Sequence, residues 1–147
     1  MAEAPVCPET GAPMRRDQRP MTLEYRGHSM TVQMPGWYCD QSDQSLHTAE
    51  DMKVSDRALN RLKAEAEGLL SPEEIRRIRK KLGLNQVQAG ELIGGGPRAF
   101  QKYEAGDLVP SRAASTALIV LDNDPSGLRH VQERQGARPN APPGPAA

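Results

Sequence analysis

The apolar positions of residues 71–112 follow helical spacing and predict a series of short helices. The first helix is expected to begin at Ser71, because the letters SPEE form a capping box with proline at the first helical position. Gly83 follows the last apolar residue of this stripe and should end the helix. Asn85 can then cap a second helix over 86–93, so a tight turn separates two short helices.

A third helix is predicted from Pro97 to near Gly106, after a turn formed by consecutive glycines. Phe100 and Tyr103 lie on one side of it and should form its buried edge. Arginine can clasp guanine, glutamine adenine, and lysine either guanine or phosphate, so the opposite face has the chemistry of a major-groove reader. The alternative is a surface helix whose polar residues are only solvated, but three short helices in this order favour a DNA-binding helix-turn-helix. The residues of the opposite face are Arg98, Gln101, Lys102 and Ala105.

Two further helices are predicted after the helix-turn-helix. Pro110-Ser111 can cap a fourth helix, and Asp124-Pro125 should end it. Residues 126–135 are expected to add a fifth. Residues 136–147 lack apolar periodicity and are rich in proline, so a disordered tail is predicted there.

The stretch 46–70 is predicted to be helical in its second half, from a cap at Ser55 or Asp56. Gly68 lies near its end and the next helix starts at Ser71, which places a domain boundary in this region. The predicted divisions are a zinc-ribbon-like partner-binding domain over 1–66, a helix-turn-helix domain over 67–135 and the tail over 136–147.

The N-terminal part contains two segments that alternate apolar and polar residues, 21–25 and 30–34. The dipeptide Gly27-His28 separates them, which predicts a β-hairpin. Turns around Cys7 and Cys39 flank the hairpin, and this is the layout of a small zinc ribbon. The sequence therefore predicts an α+β protein, with a zinc-ribbon-like β-hairpin domain followed by an all-α helix-turn-helix domain of about five helices.

The metal-binding pattern of such a ribbon is incomplete, because each cysteine lacks a second cysteine three positions later. Thr10 and Ser42 stand at those positions, and neutral hydroxyls are poor zinc ligands. We therefore expect no metal and no cofactor, with two buried cysteines in a domain that keeps the ribbon shape. A disulfide between them is disfavoured in a reducing cytoplasm. The weak alternative is a zinc site drawn from Cys7, Cys39, His47 and Asp40 or Asp43.

The formal net charge is zero, so affinity for DNA has to come from the local placement of charge. Residues 71–112 hold eight Lys or Arg against five acids, whereas residues 40–56 hold five acids and one Lys. The acidic stretch 40–51 is therefore predicted to face a basic protein partner. No apolar run is long enough to span a membrane and the N-terminus lacks the hydrophobic core of a signal peptide, so a cytoplasmic protein is expected.

Several stretches carry a family resemblance. The letters GLNQVQAGELIG, FQKYEAG and a following Pro-Ser resemble the Xre-type, phage-repressor-like helix-turn-helix class. More narrowly, IRKKLGLNQ with GGGPRAFQKYEAG resembles the MqsA-type antitoxins, and this likeness extends over roughly residues 7–128. It implies that Arg98 and Lys102 read bases and that Glu104 pairs with a first-helix arginine such as Arg79. It also implies a structural zinc held by two Cys-x-x-Cys pairs, a pattern from which this chain departs at both pairs.

We interpret the sequence as that of a non-enzymatic antitoxin and repressor, since no phosphate-loop or nucleophile-elbow motif is present. The helix-turn-helix domains of a homodimer would bind a palindromic operator, and the N-terminal domain would bind a toxin, which in the family is an mRNA-cleaving ribonuclease. One alternative is a stand-alone transcriptional regulator whose N-terminal domain senses a small molecule or metal. Another is a protein-binding module with a vestigial helix-turn-helix. The predicted DNA-binding residues are Arg77, Lys80, Asn85, Gln86, Arg98, Gln101 and Lys102, with Arg77 and Lys80 suited to backbone phosphates.

Overall fold

The computed structural model describes residues 4–136 and divides the chain into two compact units, Met1–Ala66 and Glu67–Ala147. The first unit is a small antiparallel sheet with one helix and the second is helical, so the predicted α+β class is confirmed. Residues 137–147 of the predicted tail lie outside the described residues. No helix within residues 4–136 is long and apolar enough to cross a membrane.

The N-terminal unit is built on a long β-hairpin followed by a short third strand. The two hairpin strands pair along their whole length and are longer than predicted. The turn is Arg26-Gly27 rather than Gly27-His28, with positive φ values of 46° and 83°, a conformation that matches the twist of the strands. Pro20 lies within the first strand and is tolerated because this strand lies at the sheet edge. The strands are β1 (Arg15–Tyr25), β2 (His28–Tyr38) and β3 (Ser45–Leu46), in the order β1-β2-β3.

Helix α1 (Ala49–Ala66) packs against β1 and β2. The predicted start at Ser55 or Asp56 is wrong, because a cap further upstream begins the helix. The Thr48 N–H donates to the Asp51 carboxylate over 2.9 Å, and the Asp51 N–H donates to Thr48 Oγ1 over 3.1 Å. This reciprocal cap resembles a capping box but uses aspartate where glutamate or glutamine is usual, which concealed it in the sequence.

Residues 67–136 of the C-terminal unit form five helices, the number predicted. Three of the predicted caps are present, since the side chains of Ser71, Asn85 and Ser111 each accept the N–H of the residue three positions later. Local capping chemistry therefore defines most of the helix starts in this unit. The helices are α2 (Pro72–Lys81), α3 (Gln86–Ile93), α4 (Ala99–Ala105), α5 (Arg112–Asn123) and α6 (Gly127–Gln135).

Helix α4 begins at Ala99 and not at Pro97 as predicted. The Ala99 N–H donates to the Gly96 carbonyl over 3.3 Å, so Pro97 and Arg98 form a turn that leads into the helix. Arg98 is the N-cap residue and contributes no side-chain cap. Gly106 ends the helix in the left-handed conformation, with φ 83°, as is common for a glycine after a helix.

The core of the C-terminal unit contains apolar residues from all five helices. Phe100 is completely buried, and its ring meets that of Tyr103 edge to face at 5.5 Å. The hydroxyl of buried Ser115 accepts the Leu70 N–H over 2.8 Å, which satisfies a polar group inside the core. Every member of this core lies between Leu70 and Leu128, so the unit has a hydrophobic core of its own.

Candidate nucleic-acid interface and thiol cluster

Helix α4 presents a polar face whose side chains are not used elsewhere in the described fold. Arg98, Gln101 and Lys102 are exposed, whereas Phe100 and Tyr103 on the other side are buried. Within residues 4–136 the three exposed side chains make no hydrogen bond or ion pair. Their donors are therefore available to a ligand, and their types are those that hydrogen-bond to base edges.

The backbone of the glycine-rich turn before α4 lies so close to α3 that a side chain at Gly90 would not fit. Gly94, Gly95 and Gly96 all have positive φ values, between 91° and 125°, which favour glycine. The Gly96 N–H donates to the Gly90 carbonyl over 3.2 Å, and a Cβ atom on Gly90 would lie 1.9 Å from the Gly96 oxygen. The turn and the end of α3 are therefore in backbone contact, which fixes the point from which α4 departs.

A buried ion pair joins α4 to α2. The Arg79 guanidinium donates to both oxygens of Glu104 over 2.7 and 2.8 Å, and its remaining donor reaches the Leu84 carbonyl over 3.0 Å. Their side chains are only 12% and 6% exposed. The hydrogen bonds to Glu104 raise the pKa of Arg79 further, so the pair stays charged. This is the pairing that the family resemblance implied, and it holds α4 in a set orientation.

The other four cations of α2 fall into two groups. Arg77 donates to both oxygens of Asp122 over 3.2 and 3.0 Å, and Lys81 donates to the same carboxylate over 3.0 Å. Hydrogen bonds from Arg77, and then from Lys81, lower the pKa of Asp122 to about 2. By contrast, the side chains of Arg76 and Lys80 are exposed and have no partner among residues 4–136.

This division changes the expectation for the phosphate contacts. Arg77, predicted from the sequence as a phosphate contact, has its charge balanced by a residue of α5. Lys80 remains available, and Arg76, four residues before it, shares its side of the helix. Sequence reasoning missed Arg76, although its spacing from Lys80 was a usable signal.

Asn85 and Gln86 lie at the start of α3, and the fold already uses part of the polarity of Asn85. Asn85 Oδ1 accepts the Gln88 N–H over 2.8 Å, and Gln88 Oε1 accepts the Asn85 N–H over 3.0 Å. Gln86 is half-buried. Asn85 therefore keeps its side-chain NH₂ group for a ligand, while its oxygen serves as the helix cap.

The two cysteines of the N-terminal unit lie in turns that meet each other. We call residues 7–12 the first knuckle and residues 39–44 the second knuckle. Both cysteines are buried, Cys7 at 2% and Cys39 at 1% exposure. Cys7 Sγ lies 3.4 Å from Ser42 Oγ, and Cys39 Sγ lies 3.5 Å from Thr10 Oγ1, so each thiol contacts a hydroxyl of the opposite knuckle. The hydrogen bonds of Ser42 and then Thr10 lower the pKa of Cys7 to about 6.

These donors do not match a structural zinc site. Zinc in such sites is held by four strong ligands, and the cluster offers two thiols and two neutral hydroxyls. The Nδ1–H of His47 donates to the Pro35 carbonyl over 2.8 Å, and its Nε2 lies 3.0 Å from Ser45 Oγ. The Asp40 carboxylate accepts from two arginines. Within residues 4–136, no group of three or more His, Cys, Asp or Glu side chains could hold a metal ion.

Two acids of the acidic stretch, Asp40 and Asp51, pair with arginines of β1, so the stretch presents less free negative charge than its composition indicates. Arg16 donates to both oxygens of buried Asp51, each over 2.8 Å. These bonds hold the pKa of the Asp51 carboxyl well below its usual range. Asp40 accepts from Arg15 over 2.8 Å and from Arg19 over 3.0 Å. Asp40 and Asp51 therefore help to hold the unit together, and the role of the stretch in facing a basic protein partner stays a prediction.

Comparison with known proteins gives consistent findings. The model of one family, described as the antitoxin component of bacterial toxin-antitoxin system, MqsA, matches residues 2–132. The Antitoxin MqsA of Escherichia coli (strain K12) is 30% identical over 135 residues, which cover 88% of this chain and 99% of that relative. The similarity spans both compact units.

Proposed function

The chain belongs to the MqsA family and is the antitoxin component of a toxin-antitoxin system; on that premise we propose that its C-terminal unit binds operator DNA and its N-terminal unit binds the toxin. The role is regulatory, and we propose no catalytic activity. By the family resemblance, the toxin is an mRNA-cleaving ribonuclease, and the complex or the free antitoxin represses its own operon.

The free polar face of α4 is the observation that supports the proposal of DNA binding. Arg98, Gln101 and Lys102 are exposed and unengaged within residues 4–136, while the buried Arg79–Glu104 pair orients the helix that carries them. A rigidly held helix with free donors can enter the major groove and present those donors to base edges.

Phosphate contacts would come from Arg76 and Lys80 on α2. Arg76 and Lys80 are exposed and have no intramolecular partner in the described chain, so their charge can neutralise phosphates at no cost in broken ion pairs. We propose that two chains form a homodimer and bind a palindromic operator, with their α4 helices in major grooves about one helical turn apart.

The N-terminal unit is better suited to a protein partner than to DNA. Four of its cations are paired with carboxylates: Arg15 and Arg19 with Asp40, Arg16 with Asp51, and Lys53 with Glu50. A surface whose positive charges are already balanced gains little from phosphates. We therefore place the toxin-binding role in this unit.

Two measurements test the proposal. The purified protein should bind the promoter duplex of its own gene with strong salt dependence and should copurify with the product of the neighbouring gene. Binding that is equal on promoter and scrambled duplexes would refute operator recognition. Failure to bind the neighbouring gene product, with promoter binding intact, would favour the alternative of a stand-alone regulator.

A further inference from the structure

The two knuckles are separate turns, each closed by its own hydrogen bonds. In the first knuckle, the Cys7 N–H donates to the Ala12 carbonyl over 2.8 Å, and the Gly11 N–H donates to the Cys7 carbonyl over 2.9 Å. In the second, the Cys39 N–H donates to the Gln44 carbonyl over 3.2 Å. Each turn therefore holds its cysteine in a defined position.

Contacts between the knuckles direct both thiols towards one centre. Ser42 of the second knuckle contacts the Cys7 thiol, and Thr10 of the first knuckle contacts the Cys39 thiol. The Gln44 side chain also donates to Glu9 over 3.2 Å, which adds a polar contact across the same junction. Cys7, Cys39 and Met14 form one buried cluster, so the thiols share a single small space.

We propose that Cys7 and Cys39 form a reversible disulfide when the protein meets a hydroperoxide, so that a covalent bond joins the two knuckles. The donor set does not suit zinc, but two thiols in one cluster are sufficient for a disulfide. Cys7 is the attacking residue, because the two hydroxyls beside it stabilise its thiolate and lower its pKa. Cys39 is the resolving residue.

The disulfide forms in two steps. The Cys7 thiolate attacks the terminal oxygen of the hydroperoxide and the O–O bond breaks. The leaving oxygen takes up the proton that the Cys7 thiol released and departs as an alcohol or water, and Cys7 becomes a sulfenic acid. The Cys39 sulfur then attacks the Cys7 sulfur; the S–O bond breaks and the hydroxyl leaves as water with the proton of Cys39. The two sulfurs lose two electrons, which the peroxide gains. A dithiol reductant restores both thiols by exchange.

Burial sets the rate of this reaction. Because neither thiol is open to solvent, the side chains that cover the cluster have to move locally, with the Ser42 contact to Cys7 kept, before the oxidant reaches Cys7. The disulfide should therefore form more slowly than oxidation of an exposed thiol, and mild denaturant should accelerate it. Once formed, the bond should raise the melting temperature of the protein, because it constrains the unfolded chain.

The test uses the full chain, reduced and kept in a chelator, with hydrogen peroxide as the oxidant. Intact mass should fall by two hydrogen atoms, and a non-reducing peptide map should show one peptide pair that contains Cys7 and Cys39. Dithiothreitol should reverse both changes. Cys39→Ser should accumulate a sulfenic acid at Cys7, detectable with dimedone, whereas Cys7→Ser should leave Cys39 unmodified over the same time.

A further variant separates chemistry from folding. Ser42→Ala keeps both thiols but removes a hydroxyl beside Cys7, so it should form the same disulfide at a lower rate at neutral pH. Far-UV circular dichroism of each variant verifies that it is folded. The proposal is overturned if the wild-type protein gains oxygen atoms at Cys7 without a cross-link, forms disulfides only between chains, or remains unchanged in excess peroxide.

Discussion

Arg98 and Lys80 differ in what each can contact on a duplex. Arg98 stands at the start of α4, where its planar guanidinium suits guanine, whereas Lys80 is an exposed point charge on α2. Arg98→Ala should therefore cost about 1 to 3 kcal/mol on the operator and almost nothing on scrambled DNA. Lys80→Ala should weaken binding to both duplexes alike and reduce the salt slope by about one unit.

Fluorescence anisotropy on the two duplexes at several salt concentrations measures both effects. Neither side chain has an intramolecular partner among residues 4–136, so the substitutions should leave the fold intact and each variant serves as the control for the other. Equal losses on both duplexes for Arg98→Ala would assign Arg98 to phosphate, and base reading would then pass to Gln101 and Lys102.

Asp122 should weaken the non-specific binding of the protein to DNA. Its single carboxylate pairs with both Arg77 and Lys81, so Asp122→Asn removes the negative charge that these two cations of α2 share. If they face DNA, binding to operator and scrambled duplexes should both strengthen at low salt, and the salt slope should steepen by up to about two units. Asp124→Asn is the matched control, because it makes the same charge change two residues away without contact to α2. Equal effects of the two variants would show that only net charge matters.

Some contacts of these residues could be predicted from the sequence and others could not. The exposed face of α4 could be predicted because burial follows helical periodicity within a single element. The engagement of Arg77 could not, because Asp122 lies 45 positions away and only the packing of α5 against α2 brings the two together. Arg79 and Glu104 are also distant in sequence, and their pairing was implied by the family resemblance and not by periodicity.

Among the elements, the helices of the C-terminal unit were predicted more accurately than the start of α1 or the length of the hairpin. Helix starts with Ser or Asn caps are local signals that need no tertiary information. The hairpin strands extend well beyond their alternating segments, because pairing between β1 and β2 supports residues whose own pattern is weak. The length of the hairpin therefore depends on the pairing between its strands, which the local sequence pattern does not show.

The contact between β1 and α1 should make stability depend on pH. The folded-state pKa of Asp51 is depressed by Arg16, so its stabilising contribution is present above the unfolded pKa and is lost as pH falls through the folded value. The melting temperature should therefore decline as pH falls below about 5. Asp51→Asn keeps an oxygen for the Thr48 N–H but loses the ion pair, so it should melt lower at pH 7 and show a shallower decline.

Differential scanning calorimetry between pH 2.5 and 7, roughly the range over which carboxylates titrate, gives the comparison. Asp56→Asn, an exposed substitution on the same helix, is the matched control and should follow the wild-type curve. An Asp51→Asn variant with the wild-type slope would show that the pH dependence arises elsewhere.

The knuckles lead to a prediction about metal. Since the cluster supplies two thiols and two hydroxyls, the purified protein should contain well below one zinc per chain and should keep its melting temperature in chelator. Replacing the hydroxyls, Thr10→Cys with Ser42→Cys, completes both Cys-x-x-Cys pairs and should create a stoichiometric zinc site. Elemental analysis of both proteins decides the matter. Stoichiometric zinc in the wild-type protein, with melting on chelation, would contradict the prediction.

In the whole molecule, a net charge of zero conceals an uneven distribution of available charge. The N-terminal arginines Arg15, Arg16 and Arg19 are paired with carboxylates, whereas Arg98 and Lys102 of the C-terminal unit are free within the described residues. Free positive charge attracts DNA and balanced charge does not. Composition alone could not predict this difference, because it depends on which acids each arginine reaches.

This distribution predicts a division of labour that can be measured by cutting the chain between the two units. The core of the C-terminal unit lies within residues 70–128, so a fragment of residues 67–147 keeps its whole core together with the free face of α4. It should bind the operator with a salt slope close to that of the full chain, because the removed arginines are already paired. It should also lose binding to the product of the neighbouring gene.

Isothermal titration calorimetry with that partner tests toxin binding, and anisotropy with operator DNA tests DNA binding. If the fragment retained the partner at full affinity, toxin binding would have to move to the C-terminal unit.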